Sequence, residues 1–201
     1  MGILVSIAEP KLNSTPPGAS FQPRKLLPIL LATLVVASLL LFAACSSNAA
    51  STGTPGETNM APGFELALFG NENHDAGEML KLTDLEGKPV VINFWYPSCP
   101  PCREEMPAFE SAFQKYKAQG VEFIGVQSLG LNTAQEGQEF ITEYGITYAV
   151  GPDATGGLLV DYRVVGFPST VFLDKDHNVV RHWTGGLDLE KLDELVQLTL
   201  Q

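Results

Sequence analysis

The sequence predicts an α/β fold in which a central mixed sheet is flanked by helices on both faces. Two observations lead to this prediction. Dense apolar, β-branched runs alternate with amphipathic stretches from residue 61 to the C-terminus, as strands and helices do in a layered α/β domain. Two further strand-like runs then flank a polar turn at residues 174–178, which is typical of an antiparallel hairpin, and a last amphipathic stretch follows.

The strands and helices follow from these patterns in chain order. Residues 89–95 and 121–127 are the most apolar runs and are typical of strands buried on both faces of a sheet. The other predicted strands are residues 64–68, 79–82, 148–150, 170–173 and 179–183. The predicted helices are a short turn at residues 82–86 and the segments 99–119, 133–144, 157–162 and 187–198.

Local signals support two of these helices. Phe109, Phe113 and Tyr116 recur at helical spacing, so they share one face of a helix. Gly120 ends that helix, because glycine readily adopts the left-handed conformation that often follows a last helical turn. Thr133, with a glutamate three residues later, forms the capping-box pattern that begins the next helix.

The N-terminal 45 residues have the features of an export signal. An apolar run at residues 26–42 follows the basic pair Arg24 and Lys25 and precedes two alanines and Cys45. A cysteine at this place resembles the lipidated cysteine of bacterial lipoproteins, although Phe42 stands where leucine is usual. We therefore predict that Cys45 is lipidated, which also explains an odd number of cysteines in an exported protein.

An uncleaved membrane helix is the alternative for the same segment, since residues 26–45 are about long enough to cross a bilayer. Either arrangement keeps Arg24 and Lys25 inside and places the rest of the chain at the outer face of the cell membrane. Residues 46–60 are small and polar and predict a flexible linker, and residues 61–201 form the predicted folded domain.

The charge of the chain argues against nucleic acids as partners. The formal net charge is −11, and residues 1–45 contain three basic side chains and one acidic one, so the negative charge belongs to the remainder. Binding to a phosphate backbone needs clustered Lys and Arg that release counterions. A domain this acidic is expected to be soluble and to be repelled by anionic surfaces.

The segment that carries chemistry is Cys99-Pro100-Pro101-Cys102, between a predicted strand and a predicted helix. A thiol at the start of a helix faces free backbone N–H groups and the positive end of the helix dipole, which lower its pKa. Cys102 follows one helical turn later, within reach of the first sulfur. We expect Cys99 to attack a substrate disulfide and Cys102 to resolve the mixed disulfide.

A purely structural or metal-binding role of the cysteine pair is less favoured. A disulfide between neighbouring turns closes a very short loop, so it would stabilise the fold little. A zinc site needs about four ligands, but there is no second cysteine pair, and His74, His177 and His182 are scattered along the chain. Two idle thiols are not expected in an oxidising compartment. We therefore predict no metal and no cofactor.

Four motifs occur together in this chain. They are Asn93-Phe94-Trp95 before the cysteines, the Cys-Pro-Pro-Cys centre, the Arg-Glu-Glu-Met-Pro segment at 103–107, and the Gly-Phe-Pro-Ser-Thr segment at 166–170. In combination they resemble the thioredoxin superfamily, and within it the TlpA/ResA-like branch of membrane-tethered bacterial proteins. The resemblance covers residue 61 to the C-terminus and implies a thioredoxin-like three-layer sandwich.

The resemblance implies roles for individual residues. Pro168 matches the cis-proline that lies beside the two sulfurs and positions the incoming peptide, and Pro107 matches the proline that kinks the active-site helix. Glu105 matches an acidic residue three positions after the second cysteine, where it can carry the proton of Cys102. Asn93 stands where many thioredoxins have a buried aspartate and cannot take that proton, which favours Glu105.

Simpler roles remain open for some of these residues. Glu105 could be a solvated helix charge and Pro168 an ordinary turn proline. We expect Trp95 to pack beneath the loop and shield the sulfurs, or only to fill the core. Tyr96 is a candidate for contact with partner proteins.

Together these features predict an enzyme, a membrane-anchored thiol-disulfide oxidoreductase that acts outside the cytoplasm. The resemblance implies that it reduces disulfides of exported proteins such as apocytochrome c, and that a membrane electron donor of the CcdA/DsbD type restores its dithiol. An oxidant or isomerase for exported proteins, or a copper chaperone that uses the cysteine pair, are the alternatives. A peroxidase is disfavoured because Tyr96 stands where peroxiredoxins need Thr or Ser.

Overall fold

The computed structural model describes residues 59–201. The predicted signal or anchor segment, with Cys45, and residues 46–58 of the predicted linker lie outside the described residues. No helix in the described part is long and apolar enough to span a membrane. The described chain begins against a sheet edge, where the Val179 N–H donates to the Asn59 carbonyl at 2.7 Å and Met60 pairs with Asn178.

Residues 59–201 contain seven strands, four α-helices and two short 3-10 helices. The strands are β1 (Glu65–Ala67), β2 (Met79–Lys81), β3 (Val90–Trp95), β4 (Glu122–Ser128), β5 (Ala149–Asp153), β6 (Ser169–Leu173) and β7 (Val179–Thr184). The α-helices are α1 (Pro100–Tyr116), α2 (Ala134–Glu143), α3 (Gly157–Asp161) and α4 (Leu189–Thr199), and the 3-10 helices are Leu82–Leu85 and Lys117–Gln119. The elements predicted from the sequence are all present, with ends that differ by a few residues.

Five of the strands form one mixed sheet in the order β5-β4-β3-β6-β7. The pairs β3–β4 and β4–β5 are parallel, whereas β3–β6 and β6–β7 are antiparallel. The strands β1 and β2 pair with each other as a separate antiparallel hairpin. Every residue of the central strand β3 is buried, as its continuous apolar sequence predicts for a strand covered on both faces.

Alternate residues of β3 belong to different cores, because successive side chains of a strand point to opposite faces. Val91 and Trp95 pack in the core that contains both cysteines and the buried faces of α1, α2 and α4. Ile92 and Phe94 pack in a second core on the other face, which the β1–β2 hairpin and α3 cover. The predicted three-layer arrangement is therefore confirmed, with a thin outer layer on the second face.

Strand β5 is longer than the predicted segment 148–150. It extends to Asp153 through Gly151 and Pro152, two residue types that disfavour strands by propensity. Its position at the sheet edge explains the difference, because an edge strand tolerates a proline that lacks a ladder N–H. Gly120 has φ +81°, the left-handed conformation expected after the first long helix.

Candidate active site

Cys99 and Cys102 form a disulfide at the beginning of α1, with their Cα atoms 5.2 Å apart. Cys99 is the N-cap residue, and its Sγ accepts a hydrogen bond from the Cys102 backbone N–H at 3.3 Å. The two prolines between them occupy the first helical positions, where a backbone N–H has no intrahelical partner to lose. The first sulfur therefore lies at the positive end of the helix dipole and accepts the Cys102 N–H, and both interactions stabilise a thiolate.

The two sulfurs differ in how they can be reached. Cys102 is fully buried, whereas Cys99 keeps 2% of its surface exposed in the disulfide form. An attacking thiolate or an incoming disulfide therefore has to meet the pair at Cys99. This asymmetry agrees with the roles expected for an attacking and a resolving cysteine.

The loop before the cysteines is held by two side chains, one from the distant Asn132 and one from Arg103 at the start of α1. Asn132 Oδ1 accepts hydrogen bonds from the backbone N–H of Ser98 at 3.1 Å and from its hydroxyl at 2.8 Å. Arg103 Nη1 donates to the Pro97 carbonyl at 3.3 Å. The sequence analysis did not identify Asn132 as a site residue, because a single asparagine in a loop carries no pattern that links it to a residue 34 positions away.

An aromatic pair lies in the two segments that carry the site motifs. The ring of Tyr96, three residues before Cys99, meets the ring of Phe167 edge-on at a centroid distance of 5.2 Å. The peptide bond from Phe167 to Pro168 is cis, which is the conformation that the family resemblance implied for Pro168. Phe167 is a further site residue that the sequence analysis missed, and its place within the 166–170 motif was the available signal.

Glu105 is buried in α1, one turn after Cys102, with 2% of its surface exposed. Its Oε1 accepts from Asn93 Nδ2 at 2.9 Å and its Oε2 accepts from the Leu187 backbone N–H at 3.0 Å. Burial raises the pKa of this carboxyl from 4.5 to about 7, although both hydrogen bonds favour the charged form. Glu105 is thus a group that gains or loses a proton near neutral pH, not a solvated surface charge.

Trp95 packs on the face of the sheet that α1, α2 and α4 cover, in the same core as the two cysteines. Its ring stacks on that of Phe140 at a centroid distance of 4.7 Å, and Phe140 in turn stacks on Tyr144 at 4.5 Å. The three rings connect the end of β3 with α2. This packing holds the strand end from which the active-site loop departs.

The three histidines in the described chain lie apart from the cysteines. His177 is buried with Nε2 3.0 Å from the Leu85 carbonyl, and His74 pairs with Glu78 at 3.5 Å. His182 is an exposed residue of β7, and its pKa is lowered by partial desolvation and by the nearby Arg163 charge. Within residues 59–201, no three His, Cys, Asp or Glu side chains converge as ligands of a metal ion would.

Comparison with known proteins shows the family of this chain. Residues 58–182 match the model of the AhpC/TSA family. The chain is 34% identical over 122 residues to the thiol-disulfide oxidoreductase ResA of Halalkalibacterium halodurans, which is 61% of this chain and 68% of that protein. It is 29% identical over 143 residues to ResA of Bacillus subtilis, covering 71% of this chain and 78% of that one.

Solved structures agree with this assignment. A putative thiol:disulfide interchange protein DsbE from Chlorobium tepidum superposes with a TM-score of 0.62 at 26% identity, over 71% of this chain and 96% of that chain. A putative thioredoxin from Neisseria meningitidis gives a TM-score of 0.61 at 26% identity, over 70% of this chain and 89% of that chain. With the Cys99–Cys102 pair at a helix start, these likenesses show that the chain belongs to the AhpC/TSA family of thioredoxin-like fold and is a thiol-disulfide oxidoreductase.

Proposed function

We propose that this enzyme reduces disulfides of exported proteins outside the cytoplasm, with apocytochrome c as the model substrate. The observation that carries the chemistry is the buried pair of sulfurs at the start of α1, of which Cys99 alone keeps exposed surface. The likeness to proteins named thiol-disulfide oxidoreductase ResA supports disulfides as the bonds on which it acts. The apolar run at residues 26–42, followed by Cys45, supports the extracytoplasmic location.

The first step begins from the reduced enzyme. The Cys99 thiolate attacks one sulfur of the substrate disulfide, forms a mixed disulfide with it, and releases the other substrate sulfur as a thiolate that takes a proton. The helix start stabilises the Cys99 thiolate before the attack. The aromatic side chains of Tyr96 and Phe167 supply an apolar surface on which the substrate chain can lie.

The second step releases the substrate. Cys102 loses its proton to the Glu105 carboxylate, which lies one helical turn further along α1 and titrates near neutral pH. The Cys102 thiolate then attacks Cys99 Sγ, so the mixed disulfide breaks and the second substrate sulfur leaves as a thiolate. The substrate has gained two electrons, and the enzyme is left with the Cys99–Cys102 disulfide.

A membrane electron donor then restores the dithiol by the reverse exchange. An anchor through Cys45, or through an uncleaved helix at residues 26–45, keeps the enzyme close to a donor of the CcdA/DsbD type. Residues 46–58 act in this scheme as the tether between anchor and domain.

Trapping of the mixed disulfide tests the proposed substrates. The full-length chain carrying Cys102→Ser is expressed in its native membrane, free thiols are blocked, and captured proteins are released by a reductant and identified. The expected result is covalent capture of exported cysteine-containing proteins, with none captured by the matched Cys99→Ser variant. Capture of cytoplasmic proteins, or equal capture by both variants, would contradict the proposal.

The direction of electron transfer is tested by the reduction potential of the Cys99–Cys102 disulfide. We expect a value near that of thioredoxin, about −270 mV, and far from that of DsbA, about −120 mV. A value at the oxidising end would instead make the protein an oxidant for exported chains. Tight retention of one Cu(I) per chain after chelation, without disulfide exchange, would make it a copper chaperone.

A further inference from the structure

Asn93 lies in the middle of β3, between β4 on one side and β6 on the other, and is 1% exposed. Both N–H groups of its side-chain amide are used. Nδ2 donates to Glu105 Oε1 at 2.9 Å and to Thr170 Oγ1 at 3.2 Å. The amide therefore connects the central strand, the active-site helix and β6 at one point.

Glu105 has few groups that stabilise its charge. None of the ion pairs in residues 59–201 includes it. Tyr148 interacts electrostatically with Glu105, but burial raises the pKa of this tyrosine well above its usual value, so it stays neutral and brings no charge to the carboxyl. The donors to the carboxylate are the Leu187 backbone N–H and the Asn93 amide. Asn93 is thus the one side chain in the described part that supports the Glu105 carboxylate.

The orientation of the Asn93 amide leaves one of its polar atoms without a hydrogen bond. Its Oδ1 is buried and has no hydrogen-bond partner among residues 59–201. A buried carbonyl without a partner is uncommon in a folded protein and calls for a reason. Turning the amide over would point Oδ1 at the Glu105 carboxylate, and the hydrogen bond between the two side chains would be lost. In the observed orientation Nδ2 therefore donates to Glu105, while Oδ1 is left without a hydrogen bond.

Asparagine fits this place better than the aspartate found at the matching position of many thioredoxins. Aspartate would bring a second carboxyl to within about 3 Å of Glu105, and two such groups do not ionise together easily. An apolar residue would leave the carboxylate with the Leu187 N–H as its single donor. The amide donates without adding charge.

We propose that Asn93 is a positioning residue that holds the Glu105 side chain in its orientation and stabilises its carboxylate form by donating a hydrogen bond to Oε1. The consequence for exchange, that Asn93 thereby enables Glu105 to take the proton of Cys102, rests on the function proposed above. Asn93 acts through Glu105 and not on the sulfurs themselves.

The titration of Glu105 tests the proposal without any substrate. The carboxyl of Glu105 is followed by NMR of the 13C-labelled oxidised protein, and its signal is assigned with Glu105→Gln. In Asn93→Leu we expect the pKa of Glu105 to rise by about one unit, since one of two donors is lost. In the matched Thr170→Val variant, which keeps the hydrogen bond from Asn93 Nδ2 to Glu105, we expect a smaller shift. An unchanged pKa in Asn93→Leu would overturn the proposal.

A second substitution covers the case in which Asn93→Leu does not fold. In Asn93→Asp the two carboxyls are expected to titrate as a coupled pair. This pair is expected to keep one proton up to a higher pH than Glu105 does in the unchanged protein. Independent titration of the two carboxyls, with Glu105 unmoved, would overturn the proposal.

Exchange kinetics separate this inference from the proposed function. The pH profile of disulfide reduction is measured for Asn93→Leu in the presence of Glu105 and in the Glu105→Gln background. If Asn93 supports Glu105 and Glu105 takes the proton of Cys102, Asn93→Leu shifts the pH profile to higher pH when Glu105 is present. In the Glu105→Gln background the same substitution leaves the profile unchanged. If the NMR titration moves but neither profile does, Asn93 sets the ionisation of Glu105 as inferred, and the proton transfer proposed for Glu105 is wrong.

Discussion

The guanidinium carbon of Arg103 lies 5.1 Å from the centroid of the Phe140 ring and 5.3 Å from that of Tyr144. The same side chain donates to the Pro97 carbonyl in the active-site loop and pairs with Glu143 at 3.1 Å. The residue that follows the second cysteine therefore fastens the loop to α2. Its charge is used for packing on aromatic faces as well as for an ion pair.

Removal of this side chain tests which of these contacts stabilises the fold. Arg103→Ala is expected to lower the free energy of unfolding by about 1–2 kcal/mol, because it removes cation–π contacts and a hydrogen bond to a loop carbonyl. The matched Glu143→Gln variant removes only the exposed ion pair and is expected to cost less than about 0.5 kcal/mol. Urea unfolding of both variants measures the difference, and equal losses would show that the aromatic and loop contacts of Arg103 add no stability.

The raised pKa of Glu105 makes stability depend on pH. Between pH 4.5 and about 7 the folded protein keeps a proton on Glu105 that the unfolded chain has lost. The free energy of unfolding therefore falls as pH rises through this window, by up to about 3 kcal/mol at 1.36 kcal/mol per pKa unit. Glu105→Gln removes this contribution.

Urea unfolding at pH 5 and pH 8 measures the effect as a difference between the unchanged protein and Glu105→Gln. Other carboxyls whose pKa is lowered, such as Asp193, cancel in this difference because both proteins contain them. The unchanged protein is expected to lose stability relative to the variant on going to pH 8. The same pH dependence in both proteins would show that Glu105 is ionised throughout.

The aromatic pair of Tyr96 and Phe167 is expected to contact protein substrates. Phe167→Ala should lower the second-order rate constant for reduction of a protein disulfide by about tenfold, as loss of an aromatic contact in an interface does. The rate of reaction of the enzyme disulfide with dithiothreitol should change by less than about twofold, since a small dithiol makes no such contact.

A matched Phe167→Leu variant controls for the packing of this side chain against the cores. It should retain most of the stability while reproducing part of the loss with the protein substrate. An equal slowing of both reactions in Phe167→Ala would mean that the ring supports the disulfide and not the substrate.

Gly151 allows β1 to approach β5 closely. A Cβ atom at this position would lie 2.3 Å from the Ala67 carbonyl oxygen, and a backbone atom cannot turn aside as a side chain can. Gly151→Ala should therefore lower the free energy of unfolding by about 2–3 kcal/mol. In the control Gly130→Ala the nearest atom, Ser128 Oγ, is 3.8 Å away, so a change below about 0.5 kcal/mol is expected. Thermal unfolding measures both, and similar values would contradict the close approach.

Much of the fold was predictable because its signals are local. The apolar run of β3 and the helical spacing of Phe109, Phe113 and Tyr116 each fall within a short window of sequence. The boundaries of β5 were wrong, since Gly151 and Pro152 have low strand propensity and are accepted only because the strand lies at a sheet edge.

The sequence by itself determined the two sulfurs, their spacing and their place at the beginning of a helix, because these properties depend on neighbouring residues. Only the tertiary structure decided the ionisation of Glu105, whose donors Asn93 and Leu187 come from 12 and 82 positions away. The reason is that a pKa depends on how much water and which donors surround the carboxyl, and distant parts of the chain supply both.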